Sequence, residues 1–499
     1  MEDYSYNKSK ENQISKAMHK ERKKLTTLLI ACLLTAAGWL AACTNDEAPT
    51  SEQTFDEERG LFVIDDGAIE YNTADSRTPM SYNEKQIGQT LGECSTKMLS
   101  DYSSDSRYTN TVLSPMTVAM LYSMMANFTD DNTTNKQNVY KEYLGLGNYQ
   151  NDDINSYHRK FSTQYEGSSG HASFSIKGDM WLQKNSTVYQ SFVSTANSYH
   201  VGVEGVDFNS NSDKDKMNSS VQNNIGNADT DYLPSNYNDT KTAITASVSF
   251  SQEWEAELTE SRDYIFHNAD GTSTTCNGLS FTRKAGFAHF NTFEMVEIPY
   301  KGRRFMMYLV LPHENASMSA CLDQIRQKGL ASCIALSSDA GRTFHHEGII
   351  NNIDTLVSDT IVQLSMPALK LNGTTELYKK SSSNGQISQL YQTNLTKVSP
   401  NGFKLNNIYQ ACDIELSSKG TQASAKGEAT VITDVVELTT TQGAVVTNAI
   451  IDRPDSSKGK RINQTVTENF TLDRPFALFI RDTATGGVPF AATINTMNN

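Results

Sequence analysis

Residues 413–434 read DIELSSKGTQASAKGEATVITD, and the fold turns on how that stretch is understood. It begins as a strand: Ile414 and Leu416 alternate with Asp413 and Glu415, the period of two that sends successive side chains to opposite faces. After Gly420 the large apolar residues stop, but the alternation continues. Thr421, Ala423, Ala425, Gly427, Ala429, Val431 and Thr433 are small or β-branched and uncharged. The intervening Gln422, Ser424, Lys426, Glu428, Thr430, Ile432 and Asp434 are mostly polar and suit a solvent face. A strand with one small, uncharged face can enter a crowded sheet without displacing neighbours or burying a charge. The same small residues would hold it only weakly in a core as a loop. The expectation is a segment written as a strand that changes place. Taken alone, the alternation also suits an ordinary edge strand followed by a polar loop, so the rest of the chain has to decide.

The chain has 499 residues, 37% hydrophobic and 20% charged, a composition that folds rather than stays disordered. Its net charge of −14, with no Lys/Arg run beyond the N-terminus, argues against a nucleic-acid groove. Residues 20–43, KERKKLTTLLIACLLTAAGWLAAC, place a basic cluster before an apolar run that small and polar residues interrupt. That is an export signal rather than a spanning helix. Its Leu40-Ala41-Ala42-Cys43 ending resembles a bacterial lipoprotein signal, which implies removal of residues 1–42 and lipidation of Cys43. Met18 is an alternative start that leaves the mature chain unchanged. The removed part holds seven basic and four acidic groups, so the mature chain stands at −17. Residues 43–80 then read as a lipidated, polar tether with one short apolar patch at Leu61-Phe62-Val63-Ile64, suited to a docking strand. The acidic start Thr44-Asn45-Asp46-Glu47 extends the expectation from the cell envelope to the outer-membrane surface. Five further cysteines, Cys94, Cys276, Cys321, Cys333 and Cys412, are scattered and odd in number, so buried thiols are expected rather than a disulfide framework or a metal site.

The folded body is expected over 81–499. Ile87, Leu91, Cys94 and Met98 recur at helical spacing. Ser114 and Pro115 then cap a helix that is apolar almost all round, which places it deep inside. Strand patterns follow at Phe174–Leu182, Ala243–Phe250 and Val362–Met366, with a hairpin turning at Lys301-Gly302 between Glu297 and Pro312. Pro475–Ile480 and Val488–Ile494 flank a turn at Thr485-Gly486-Gly487. Helices first and β-pairing later indicate an α+β fold with large mixed or antiparallel sheets. No nucleophile elbow, zinc-helix motif or phosphate loop occurs, and His345-His346 is an adjacent pair in a polar stretch, so no enzyme, metal or cofactor is expected.

Five stretches in order resemble the serpins. They are Asn110–Thr117 around Ser114-Pro115, Val296–Gly302 through Val310-Leu311-Pro312, Leu364–Leu371, the hinge Gly420-Thr421-Gln422-Ala423-Ser424-Ala425, and Asp473–Asp482. The resemblance implies a mobile reactive loop, here at about 420–470, and suicide-substrate inhibition of serine or cysteine proteases. The protease forms an acyl-enzyme on the loop; the cut hinge (through Lys426 and Gly427) inserts as a new central strand and distorts the enzyme. The expected partner is therefore a protease, held covalently by a monomeric, membrane-tethered inhibitor. Ser114, Thr117 and Gln410 would line the shutter beneath the sheet.

The chain departs from the family pattern in several places. Gln422 stands for the usual Glu, Ser418 for an acidic residue, Gln410 for a His, Ala246 for its Asn partner and Ala492 for a Gly. Loss of both the His and the Asn leaves no orphaned partner. From Gly420 to Phe476 is 56 positions, roughly twice the family interval. Counting from the hinge puts the scissile bond at Asp434–Val435, and Val435, Val436 and Leu438 would suit an elastase-like protease. Arg453 precedes Pro454; Lys458, Lys460 and Arg461 would suit a trypsin-like enzyme but leave a very long arm. A serpin-like surface lipoprotein that binds without inhibiting is the alternative.

Overall fold

Ser81 opens the folded body with a reciprocal cap: its Oγ accepts from Glu84 N at 3.2 Å while its own N–H donates to the Glu84 carboxylate. The computed structural model describes residues 55–56, 61–63, 79–103, 108–129, 138–163, 173–226, 231–234, 241–337, 358–377, 385–401, 403, 405–422 and 464–497. Contacts divide the chain into Met1–Glu52 and Gln53–Asn499, and all described residues fall in the second unit.

The N-terminal half runs β1 (Phe55–Asp56), β2 (Leu61–Val63), α1 (Tyr82–Tyr102), β3 (Thr111–Leu113), α2 (Pro115–Ala126), α3 (Val139–Tyr143) and α4 (Asn151–Thr163). Next come β4 (Ser173–Gln183), β5 (Thr187–Tyr189), α5 (Gln190–Ser198), β6 (Val201–Val206), α6 (Asn211–Ile225) and β7 (Thr242–Glu253). The middle holds β8 (Thr259–His267), β9 (Ser273–Lys284), β10 (Phe287–His289), β11 (Phe293–Pro299), β12 (Phe305–Pro312), α7 (Met318–Lys328) and α8 (Leu330–Ser337). The chain closes with β13 (Ser358–Pro367), β14 (Leu369–Glu376), α9 (Gly385–Gln392), β15 (Asn407–Leu416), β16 (Gly420–Gln422), β17 (Gln464–Thr471), β18 (Phe476–Asp482) and β19 (Phe490–Ile494).

Among the described residues these strands build four sheets. The central one has the order β14-β15-β16-β7-β4-β6, and a second six-stranded sheet has the order β10-β11-β12-β18-β19-β3. A four-stranded sheet runs β17-β13-β9-β8, and β1-β2-β5 form the smallest. The α+β expectation with large mixed sheets therefore holds. Within the 43–80 stretch, β2 docks on β5 in antiparallel register, Leu61 opposite Tyr189 and Val63 opposite Thr187.

The two large sheets share one core. Phe250 of β7 packs edge-on to Phe305 of β12 at 5.0 Å and lies 6.1 Å from Phe490 of β19. Every residue of α2 is buried in that core, and Ser114 caps the helix with Pro115 in its first turn, as the sequence indicates. The opposite face of the central sheet is covered by α6. Its Met217, Val221 and Ile225 fall four apart on one stripe and pack against Trp181, Ala243, Tyr409 and Ala411. The hairpin turn lies where Lys301-Gly302 predicts it, with Gly302 at φ +79°, a left-handed conformation that costs glycine little.

Candidate functional site

The feature that organises the central sheet is the seam between β15 and β7. Over its lower part the two strands pair directly and in parallel, Asn407–Cys412 against Ala243–Val248. Above Cys412 they diverge, and β16 sits between them. Gly420, Thr421 and Gln422 pair antiparallel with Glu253, Gln252 and Ser251 of β7. On the other side Thr421 and Gln422 pair with Leu416 and Glu415 of β15. The chain thus leaves β15, turns through Ser417–Lys419 and re-enters the sheet beside itself.

Local chemistry holds this entry point. Ser417 N donates to Gly420 O at 2.9 Å and closes the turn. Gly420 has no room for a side chain: a Cβ there would lie 2.2 Å from Gln252 O. Thr421 is fully buried, and its hydroxyl meets Tyr300 OH at 2.6 Å. Burial pushes the Tyr300 hydroxyl well above its ordinary pKa, so this pair stays neutral. The Trp254 ring stacks on Tyr300 at 4.4 Å, its indole N–H donates to Ser417 O, and its backbone N–H donates to Lys419 O. Ser418 Oγ donates to Glu260 Oε1 at 2.5 Å, so an acidic residue at 418 would face a like charge here.

Below the entry point lies Gln410, fully buried on β15 opposite Ala246. Its carboxamide grips Ser114 at both ends: Ser114 N donates to Oε1 and Nε2 donates to Ser114 O, each at 2.9 Å. Ser114 Oγ in turn accepts from Thr117 N at 3.2 Å and lies 2.9 Å from Thr117 Oγ1. The structure therefore brings Ser114, Thr117 and Gln410 into one buried cluster tying β15 to the start of α2. With Ala246 opposite it, Gln410 makes its side-chain bonds to the helix cap.

Alternation puts Gln422 and Lys426 on a solvent face; Gln422 pairs with the half-exposed Glu415, while its side chain and Lys426 lie outside the described residues. At the level of Tyr409, Ala411 and Asp413 the outward face of β15 is buried, with Ala411 packed against Val221, Ile225 and Tyr232. At the two ends of the 420–470 stretch lie β16 (Gly420–Gln422) and β17 (from Gln464). Ala423, Ser424, Ala425, Lys426 and Gly427 of the hinge, the Asp434–Val435 bond, His345-His346 and Cys43 lie outside the described residues.

Residues that the sequence did not single out include Trp254 and Tyr300 at the entry point and Asn406 at the foot of the seam. Tyr300 stood within a quoted motif, but its hydroxyl contact across 121 positions carries no local signal. The described cysteines are all free thiols, and no group of metal-ligating residues occurs among the described residues. His158 is buried against Ser123 Oγ, and burial holds it down to about 3, so it is a neutral core residue and no acid–base catalyst.

Residues 89–497 match the family described as Serpin (serine protease inhibitor). This chain belongs to the serpin family. Serpins are mostly protease inhibitors rather than catalysts. The most similar relatives include an uncharacterized serpin-like protein of Methanosarcina mazei, 22% identical over 324 residues, covering 63% of this chain and 65% of that one. The match thus spans just under two thirds of that relative's length. The thermophilic serpin tengpin in its native state superposes with a TM-score of 0.59 at 17% identity, covering 86% of this chain and 98% of tengpin. Arabidopsis AtSerpin1 in its native stressed conformation gives 0.61 at 18% identity, covering 84% and 100%. These likenesses establish the serpin fold for this chain.

Proposed function

We propose that this serpin is a suicide-substrate inhibitor of serine or cysteine endopeptidases, held at the cell envelope by a lipid on Cys43. One observation carries the reading: β16 is a wedge already seated between β15 and β7, with the sequence behind it written to follow. Continuing the same antiparallel register would bring Ala423, Ala425, Gly427 and Ala429 to the inward row, opposite Ile414, Cys412, Gln410 and Ile408. No charge enters that row, and glycine, without a side chain, would fall beside the buried Gln410. Advance to Thr430 exchanges the six parallel pairs of Asn407–Cys412 for two antiparallel edges. The gain is on the order of ten ladder hydrogen bonds at ~1 kcal/mol net each. That is comparable with the stability of a whole domain, ~5–15 kcal/mol, and so suffices to distort an attached protease.

The test is a gel-shift panel with elastase-, subtilisin-, trypsin- and papain-like proteases, followed by sequencing of the released C-terminal fragment. A detergent-stable complex is expected, with Asp434–Val435 as the cut. Thr421→Arg would force a charge into the fully buried entry row and should abolish the complex while leaving cleavage intact. If that variant traps protease as well as the wild type, insertion is not the mechanism. The alternative is a binding or structural lipoprotein on the serpin fold. It is motivated by Gln410 at the shutter and by the long 423–463 stretch. Cleavage with neither complex nor gain in thermal stability would establish it.

A further inference from the structure

The lower end of the seam carries a device separate from the wedge and the shutter. Asn406, the residue before β15, reaches across to the first residues of β7. Its Oδ1 accepts from Lys241 N at 3.0 Å and from Thr242 Oγ1 at 3.3 Å, while its own backbone N–H donates to Thr242 Oγ1 at 3.0 Å. Thr242 is almost fully buried, and its neighbours are committed elsewhere: Lys241 O accepts from Gln183 N, and Thr242 pairs with Leu182 of β4. Asn406 is thus the movable half, on the β15 side, and Lys241-Thr242 the fixed half, built into the β4–β7 pairing. Both halves line one open cavity of about 600 Å³ together with Asn185, Ser399 and Asn401, so solvent reaches the clasp from below.

We propose that this Asn406–Thr242–Lys241 clasp is a positioning element that sets how readily β15 and β7 part, and hence the rate of complete loop insertion. The proposal rests on the inhibitory reading above. A wedge advancing from Gly420 replaces each parallel pair of the seam with backbone pairs of its own. At the clasp the bonds depend on two side chains, and the incoming backbone cannot reproduce that arrangement. The bonds must break without direct replacement, which makes the foot of the seam the last barrier to full insertion. The clasp also opposes insertion before cleavage, so it acts in two opposed ways: it keeps an uncut loop out, which preserves the active form, and it delays a cut one, which slows trapping.

Two measurements on the intact soluble protein separate the clasp from the inhibitory reading. The first is native-state hydrogen exchange at the Lys241 amide, which donates to Asn406 Oδ1. Asn406→Ala should raise its exchange by about tenfold, because the Lys241 amide then loses its protein acceptor and is left to water. Asn401→Ala, on the same cavity wall but outside the clasp, should leave it unchanged. Thr242→Val, nearly isosteric, guards against a folding defect and should expose the Asn406 amide instead. The second is the rate at which the protein, nicked in its loop by subtilisin, gains thermal stability. That rate should rise several-fold in Asn406→Ala and Thr242→Val and stay at the wild-type value in Asn401→Ala. Unchanged exchange in both clasp variants would overturn the clasp. Raised exchange with an unchanged rate of stabilisation would overturn its control of insertion. A nicked wild type that never gains stability would sink the inhibitory reading, while the exchange data still judge the clasp itself.

Discussion

Gln410 shows how one side chain can reset a buried site. Its carboxamide presents a donor and an acceptor side by side, the complement of the N–H and C=O of Ser114, whose C=O also accepts from Val118 N at 3.1 Å. A hydrophobic replacement such as Gln410→Leu fills similar volume but strands the Ser114 N–H in a buried place. The expected cost is about 1–3 kcal/mol, read as a lower urea midpoint with an unchanged slope. Gln410→Glu should behave differently. It keeps an acceptor for the Ser114 N–H but sets a carboxylate against Ser114 O, so its stability deficit should shrink as pH falls and the carboxyl is protonated. A deficit independent of pH would mean that the Ser114 contact does not govern this residue. That pairing could not be read from sequence, because 296 positions separate the partners. Ser114-Pro115 as a helix start was legible, since capping is decided within a few residues.

At the scale of elements, β17 and β2 are each held by a specific contact. Among the described residues β17 is an edge strand that pairs only with β13, in parallel. His289 of β10 reaches it: Nε2 lies 3.7 Å from Glu468 of β17, and Nδ1 lies 3.1 Å from Glu294 of β11. The Phe287 ring packs edge-on against the same imidazole. Hydrogen bonding to Glu294, with the charges of both carboxylates, raises the His289 pKa above its ordinary value despite partial burial. A raised folded pKa means that the protonated imidazole adds stability fully below about pH 6.5, and that this is lost as pH rises through the higher folded value. His289→Gln should therefore lower thermal stability in mildly acidic buffer and have little effect in alkaline buffer; equal loss at both would rule out the charge contribution. For β2, the contact is the three-residue pairing with β5, whose Tyr189 N–H also donates to Val398 O. Deleting residues 53–63 leaves one edge of β5 unpaired and should cost about 1–3 kcal/mol, with faster exchange confined to Thr187–Tyr189 and its neighbours. Global loss of protection would mean that the segment is part of the main core.

For the molecule as a whole, the legible part of the sequence was the pattern that repeats locally. The alternation of Phe174–Leu182 and Ala243–Phe250 marked β4 and β7, and the hinge marked the segment that enters between β15 and β7. The order of the sheets, and which face of β15 is covered, depend on contacts between distant segments. The stripe Met217-Val221-Ile225 does signal an amphipathic helix, but nothing local says that it lies over Ala411. The entry point was readable as a hinge and not as a lock, because the Trp254–Tyr300 stack forms only when β7 and β12 come together.

The docking of β2 on β5 has a consequence for how the molecule is presented. β5 lies beside the foot cavity, at the Thr242 end of β7, whereas β16 enters at the Glu253 end. Those ends are separated by twelve residues of strand, about 40 Å. On the reading proposed above, a lipid on Cys43 would tether the chain through the segment that leads to β2, which docks beside the Thr242 end of the seam. A cut loop would enter at the Glu253 end, and complete insertion would carry the captured enzyme toward the Thr242 end. Between Cys43 and Phe55 the chain can span at most about 40 Å even fully extended. On that same reading, the length of this leash would set how bulky a captive could be accommodated beside the lipid surface.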